Sequence, residues 1–195
     1  MDILSFNQSW MSWNFILAVI SVFLILASYL IRQPYIKIPL LIIWLLFVPN
    51  SIYILTDIIH FQSQWDVIPS NLEVWLVVQY AFFLPWGIIT HIANLYYFEL
   101  LLEQTKFIKK RARPIVILIL QFLIALGLIM GRNQRTNSWH VITQPWKVIR
   151  DVFEVIMRVD LFIYILISWI FLVGIYVIYK KSRTNSTALI IKKTH

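Results

Sequence analysis

Five long apolar runs, each set off from the next by a short polar or basic stretch, divide the chain. A helix rising 1.5 Å per residue crosses a ~30 Å hydrocarbon core in about 20 residues. Runs of that order lie at approximately 13–31, 39–61, 72–96, 114–130 and 161–179. Trp10 and Trp13 suit the interface ahead of the first run. Pro39 suits the first turn of the second helix, where its missing N–H leaves nothing unpaired, and Pro114 opens the fourth. Pro49 falls inside the second run and predicts a kink or brief break. Pro85 and Gly87 interrupt the third run, and Gly131 marks a stop for the fourth. Across 145–158, Trp146, Val148, Ile149, Val152, Phe153 and Ile156 recur at helical spacing, while Lys147, Arg150, Asp151 and Glu154 take the other side. That pattern predicts a helix lying in the interface plane. The expected fold is all-α: a polytopic transmembrane helical bundle of about five spans plus an interfacial amphipathic helix, in one integral membrane domain over residues 1–195.

Composition strengthens this picture. Of 195 residues, 60% are hydrophobic and 13% charged, about half the charged share of a soluble domain. The net charge of +8 comes from basic residues beside the apolar runs, which is the pattern of positive-inside flanks rather than of a nucleic-acid partner. With the N-terminus outside, 12 of the 17 Lys and Arg residues fall on the inner face: Arg32, Lys37, the basic run 106–113 and the tail. The expected location is therefore a cell membrane, with the C-terminus cytoplasmic. The absence of cysteine rules out disulfides, thiolate catalysis and cysteine metal sites. The stretch beginning Met1-Asp2-Ile3-Leu4 lacks a basic leader and a small-residue cleavage site, so the first run reads as a retained span.

One stretch breaks the apolar pattern. Asn50, Tyr53, Asp57 and His60 fall within roughly an 80° arc of a helix, while Ile52, Ile54, Leu55, Ile58 and Ile59 cover the rest. Lipid cannot satisfy such a seam, so it should face protein or trapped water. Asp57 lies about 27 Å past Pro39 at helical rise, near the outer interface. His60 is one turn further and within reach of its carboxylate. A carboxylate beside an imidazole orients the ring and favours its charged form, as an acid–base pair requires. The plainer reading is that the pair ties helices together, that Asn50 caps the break at Pro49, and that Tyr53 is an ordinary membrane residue.

A second polar segment, 131–140, reads GRNQRTNSWH and falls on the same face as His60 under this topology. Arg132 and Arg135, beside Asn133, Asn137, Ser138 and Trp139, offer forked donors that match a phosphate or carboxylate. Ordinary headgroup anchoring by a basic interfacial loop is the competing reading. Asp57, His60 and His140 give no metal-ligand spacing, and His60 and His91 lie at depths about 28 Å apart, too far to share a haem. No phosphate loop, dinucleotide fingerprint or nucleophile elbow occurs. No cofactor and no metal is expected.

Phe47-Val48-Pro49-Asn50-Ser51-Ile52-Tyr53-Ile54-Leu55-Thr56-Asp57-Ile58-Ile59-His60 and the segment Gly131 to Trp139 together resemble a bacterial integral membrane family, domain of unknown function 1361. Its members look like LPNxxYxxTDxxH in the second helix and GRxxRxNSW after the fourth, then a proline, here Pro145. Where the family usually shows an acid after the Trp, this chain has His140. The resemblance implies a multi-pass membrane protein and no established activity.

Two functions fit. In the first, a cell-envelope membrane protein acts on or binds an anionic lipid or lipid-linked substrate at an outward-facing site. Asp57 and His60 are then the acid–base pair, and Asn50, Tyr53, Arg132, Arg135, Asn137, Ser138 and Trp139 bind substrate. In the second, a non-enzymatic accessory subunit or small transporter uses the same groups to lock helices together. The sequence does not identify a protein partner.

Overall fold

In a computed structural model that describes residues 3–105 and 108–193, with side chains as far as residue 185, every regular element is helical. Lys106 of the basic run and the side chains of Lys192 and Lys193 lie outside the described residues. Five stretches are long and apolar enough to cross a membrane: Ile3–Leu30, Pro34–Trp65, Ser70–Gln104, Lys110–Asn133 and Val159–Asn185. Contacts group the chain into two compact units, Met1–Phe107 and Ile108–His195.

The first unit holds α1 (Ile3–Leu30), α2 (Pro34–Phe47), α3 (Pro49–Thr56), α4 (Ile59–Trp65) and α5 (Glu73–Gln104). Helix α1 begins well ahead of the apolar run, because its early polar residues find partners in the protein. Asn7, fully buried, donates to Gln64 at 2.8 Å and to Gln79 at 3.0 Å. At the start of α2 it is Pro34 that takes the first helical position, and Pro39 lies within the helix.

Pro49 does break the second run. It removes one N–H from the helical ladder, and nearby polar side chains take up carbonyls at the break. Asn50 Nδ2 donates to the Phe47 carbonyl at 2.9 Å and Ser51 Oγ to the Val48 carbonyl at 2.7 Å. A second interruption follows at Asp57, whose N–H turns back to the carbonyls of Ile54 and Leu55. The helix then resumes as α4, so it continues over 62–65, past the expected end of the second run at 61. Helix α5, by contrast, runs through Pro85 without a break.

The pairings fix the directions of the helices. Leu4 and Asn7 meet Gln79, Trp10 meets Phe83, Phe15 meets Trp86, Ser21 meets Asn94 and Tyr29 meets Tyr97. Both numbers rise together, so α1 and α5 are parallel. Asn7 with Gln64 and Asn14 with Asp57 run the opposite way, as do Gln64 with Tyr80 and Trp44 with Asn94. The middle run therefore returns antiparallel between them. Met11, Ala18, Ile54, Leu76, Tyr80 and Phe83 form an apolar core here.

Gly87 permits the closest approach. A Cβ placed there would sit 3.1 Å from Leu55 Cγ, 3.2 Å from Ile54 Cβ and 3.2 Å from the Ser51 carbonyl oxygen. Small residues serve this purpose in membranes, where backbones approach closely and packing replaces the hydrophobic drive of water.

The second unit holds α6 (Arg113–Asn133), α7 (His140–Thr143), α8 (Pro145–Met157) and α9 (Val159–Lys193). Helix α6 continues past Gly131 to Asn133. It packs on α9 through Trp169, whose indole N–H donates to the Leu118 carbonyl at 3.0 Å and whose ring meets Phe122 edge-on. On α9, Leu161, Ile165 and Leu172 are buried at the spacing of one helix face. Helix α8 is amphipathic, as its pattern predicts, but one charged residue, Asp151, turns inward with Lys147 beside it, while Arg150 and Glu154 stay exposed. Asp151 and Val155 are buried, whereas Trp146, Ile149, Phe153 and Ile156 are exposed. An exposed apolar stripe on a short helix between two spans is what a helix lying on lipid presents.

Candidate functional site

In the first unit the polar groups form successive layers. At the end where α1 and α5 begin, Asn7 exchanges hydrogen bonds with Gln64 and takes the Trp10 indole N–H at 3.0 Å. The Tyr80 hydroxyl donates to Gln64 Oε1 at 3.1 Å, and Gln79 Nε2 donates to the Leu4 carbonyl. About 10 Å further along α1, at helical rise, Asn14 Nδ2 donates to Asp57 Oδ2 at 2.9 Å. Deeper still, Asn94 joins three helices by accepting from Trp44 Nε1 and donating to Ser21 Oγ, each at 2.8 Å.

Within this frame Asp57 is buried, at 2% exposure, and about 12 Å short of the end of α4 at helical rise. A carboxylate at such a place needs donors from the protein, and Asn14 is one. His60 is exposed and lays its ring edge-on to Trp10, with centroids 5.7 Å apart. Asn50 spends its amide on the Phe47 carbonyl. Tyr53 is half-buried, and its carbonyl accepts from Thr56 Oγ1 at 2.7 Å. Asn7, Asn14, Gln64 and Tyr80 are absent from the residues singled out in the sequence. The spacing of Asn7 and Asn14, seven residues apart on one helix face, is a signal that could have found them.

In the second unit, Arg132 sits in the last turn of α6, half-buried, and the chain then leaves the helix. Arg135 is exposed with φ at 51°, the left-handed region that side chains other than glycine rarely occupy. Thr136, the next residue, holds that bend in place. Its N–H returns to the Met130 carbonyl at 3.2 Å, and its hydroxyl donates to Asp151 Oδ2 at 2.5 Å. Lys147 Nζ donates to the same Asp151 oxygen, to Thr136 Oγ1 and to the Gln134 carbonyl. Burial alone raises the Asp151 carboxyl. The hydrogen bonds from Lys147 and Thr136, with the charges of Lys147 and Arg150, outweigh it and hold the group below the usual carboxylate range.

Asn137 and Trp139 are exposed and Ser138 half-buried. The Asn137 N–H donates to His140 Nδ1 at 3.0 Å. His140 thus supplies an acceptor to this turn, a task an acid could also perform. The Lys147–Asp151 pair, four residues apart on one helix, is legible in the sequence. Its grip on Thr136 is not. Among the described residues no group of three or more His, Asp or Glu side chains is placed to hold a metal ion.

Five helices with apolar girth, polar layers satisfied inside the protein and an amphipathic helix with its apolar side exposed define a polytopic α-helical membrane protein. Residues 13–192 match the family described as protein of unknown function (DUF1361), and the chain belongs to that family. No curated protein and no solved structure matches it.

Proposed function

We propose that this protein binds the phosphate or carboxylate of an anionic lipid, or of a lipid-linked substrate, through Arg132 and Arg135 at the membrane surface. The observation that carries this reading is the backbone of Arg135. A non-glycine residue is held left-handed at a cost of about 1–3 kcal/mol, and such strain persists where the surroundings over-determine it and a role repays it. The Asp151–Thr136–Lys147 lock supplies that determination, and an exposed guanidinium is its product. Asn137, Ser138 and Trp139 follow directly and would line the same anion. The apolar stripe of α8 supports placement of the segment at headgroup depth.

On the same reading the segment lies outside a bacterial cell, with the N-terminus outside and the C-terminus cytoplasmic, supported by the basic residues flanking the other ends of the spans. The test is lipid competition on full-length protein in nanodiscs of phosphatidylcholine with phosphatidylglycerol or a polyprenyl phosphate, read by native mass spectrometry. Each arginine near the surface contributes about 1 kcal/mol to an anionic lipid. Arg132→Gln and Arg135→Gln should therefore each lower the enrichment of the preferred anion about five-fold. Enrichment unchanged in the double variant with both anions ends the proposal.

A second reading applies to Asp57. Burial against Asn14 favours a helix-locking role over acid–base chemistry with His60. Asp57→Ala then lowers folded yield, and His60→Ala does not. Normal yield for Asp57→Ala with a changed envelope lipid profile would restore the catalytic assignment, in which Asn50 and Tyr53 position the substrate.

A further inference from the structure

Helices α1 and α5 leave a groove of about 650 Å³ between them. Along α1 its wall runs Gln8, Ser12, Ile16, one residue every four and so one helix face. Along α5 it runs from Gln79 through Phe82 and Phe83 to Trp86. Because the two helices are parallel, both walls change character in the same direction. The polar side chains lie at the end where the helices begin, and the aromatic and aliphatic ones lie deeper. From Gln8 to Ile16 the groove extends about 12 Å at helical rise.

Three features define what fits. No lining side chain is charged, so the groove is not built for a phosphate or a carboxylate. Gln8 and Ser12 are exposed, and each carries a donor, which suits a neutral acceptor such as an ester carbonyl. Gln79 is already engaged, since it donates to the Leu4 carbonyl and accepts from Asn7, so it forms a fixed wall rather than a ligand. Below them, Phe82 and Ile16 are exposed on helices long and apolar enough to sit in hydrocarbon, where chains of lipid are the solvent.

We propose that the groove seats one ester-linked acyl chain of a membrane phospholipid, its ester at Gln8 and Ser12 and its methylenes against Phe15, Ile16, Phe82 and Trp86. The site is separate from the arginine segment and does not rest on it. The lipid is held by its glycerol ester and chain, whatever its headgroup. A polarity gradient matched on two parallel helices distinguishes this groove from an exposed apolar face such as that of Ile163, Ile167 and Ile170 on α9.

The experiment uses full-length protein in bilayers containing a phospholipid with a diazirine in one acyl chain, with crosslinked peptides mapped by mass spectrometry. A diazirine near the ester should label the Gln8–Ser12 stretch, and one near the chain end the stretch around Phe15 and Trp86. The yield should exceed that on Ile163–Ile170 of α9 at least five-fold. It should be equal for phosphatidylcholine and phosphatidylglycerol and unchanged by Arg135→Gln, which separates this site from the anionic one. Ser12→Phe, which fills the groove, should remove the excess while leaving α9 labelling intact. Ser9→Phe, which adds the same bulk to α1 outside the groove, should keep both the excess and the depth order. Labelling no stronger than on α9, loss of the depth order, or equal labelling of Ser12→Phe each overturns the proposal.

Discussion

Asn94 offers the sharpest test of how the first unit is held together. Its amide is fully buried and makes three hydrogen bonds of 2.8 Å: from Trp44 Nε1, to Ser21 Oγ and to the Thr90 carbonyl. The first two cross between helices. Interhelical hydrogen bonds in membranes average about 0.6 kcal/mol and reach about 1.7. Asn94→Ala removes both and leaves the Trp44 indole N–H, itself buried, without its acceptor. An orphaned buried donor costs about 1–3 kcal/mol. The expected destabilisation is therefore about 2–4 kcal/mol, with most of it in the stranded indole. That attribution is testable, because Trp44→Phe removes the donor. The two substitutions should then be non-additive, with the double variant less destabilised than the sum of the singles by about 1 kcal/mol or more. Steric trapping of full-length protein in bicelles, with tags in the first and third spans, measures each of the four unfolding free energies. Additivity to within about 0.3 kcal/mol would refute the reasoning, since it would mean the indole and the amide do not depend on one another.

Three further outcomes follow from the packing and the lock. Gly87→Val places bulk where even a Cβ lies 3.2 Å from a backbone carbonyl oxygen, so it should cost about 1–3 kcal/mol in the same unfolding assay. Gly87→Ala should cost less, because about 1 kcal/mol of helix propensity offsets it. The Asp151 carboxyl is held below its ordinary value, so its stabilising contribution is complete above the unfolded carboxylate value near ~4 and is lost as pH falls through the lower folded value. Amide exchange across 134–157, corrected for intrinsic rates, should thus rise at acid pH in the native protein, whereas Asp151→Asn should exchange faster already at neutral pH and show little further acid dependence. Arg135→Gly relieves the left-handed backbone and should raise stability of the segment by about 1 kcal/mol while lowering anionic-lipid enrichment, the opposite signs expected where strain serves binding. A fall in stability would assign the arginine a structural task instead.

The apolar runs made the membrane character legible, since crossing a bilayer demands a length and a composition that few other folds share. Helix ends were less legible because they depend on partners. The Asn7 end of α1 bonds to Gln64 and Gln79, and nothing local in residues 3–12 announces those partners. Pro49 broke its helix while Pro85 did not, a difference decided by surroundings rather than by proline. The seam residues Asn50 and Asp57 were visible as polar groups in an apolar run, but Asn14, on another helix, was not visible as a partner. In the amphipathic helix the two faces were readable from spacing, and the burial of Asp151 was not. Periodicity assigns residues to sides without saying which side meets protein, and here the buried carboxylate of Asp151 gathers Thr136 and Lys147 inward.

That orientation gives α8 two attachments of different kinds. One is chemical and local, a carboxylate gripping the backbone turn at Thr136. The other is the exposed apolar stripe of Trp146, Ile149, Phe153 and Ile156, which under the proposed placement rests on lipid. A detergent micelle keeps the first and replaces the flat second with a curved and mobile surface. Under that placement the bend that presents Arg135 depends on protein and bilayer jointly. Thinning the membrane or changing its lateral tension should then act on that arginine from a distance, through α8.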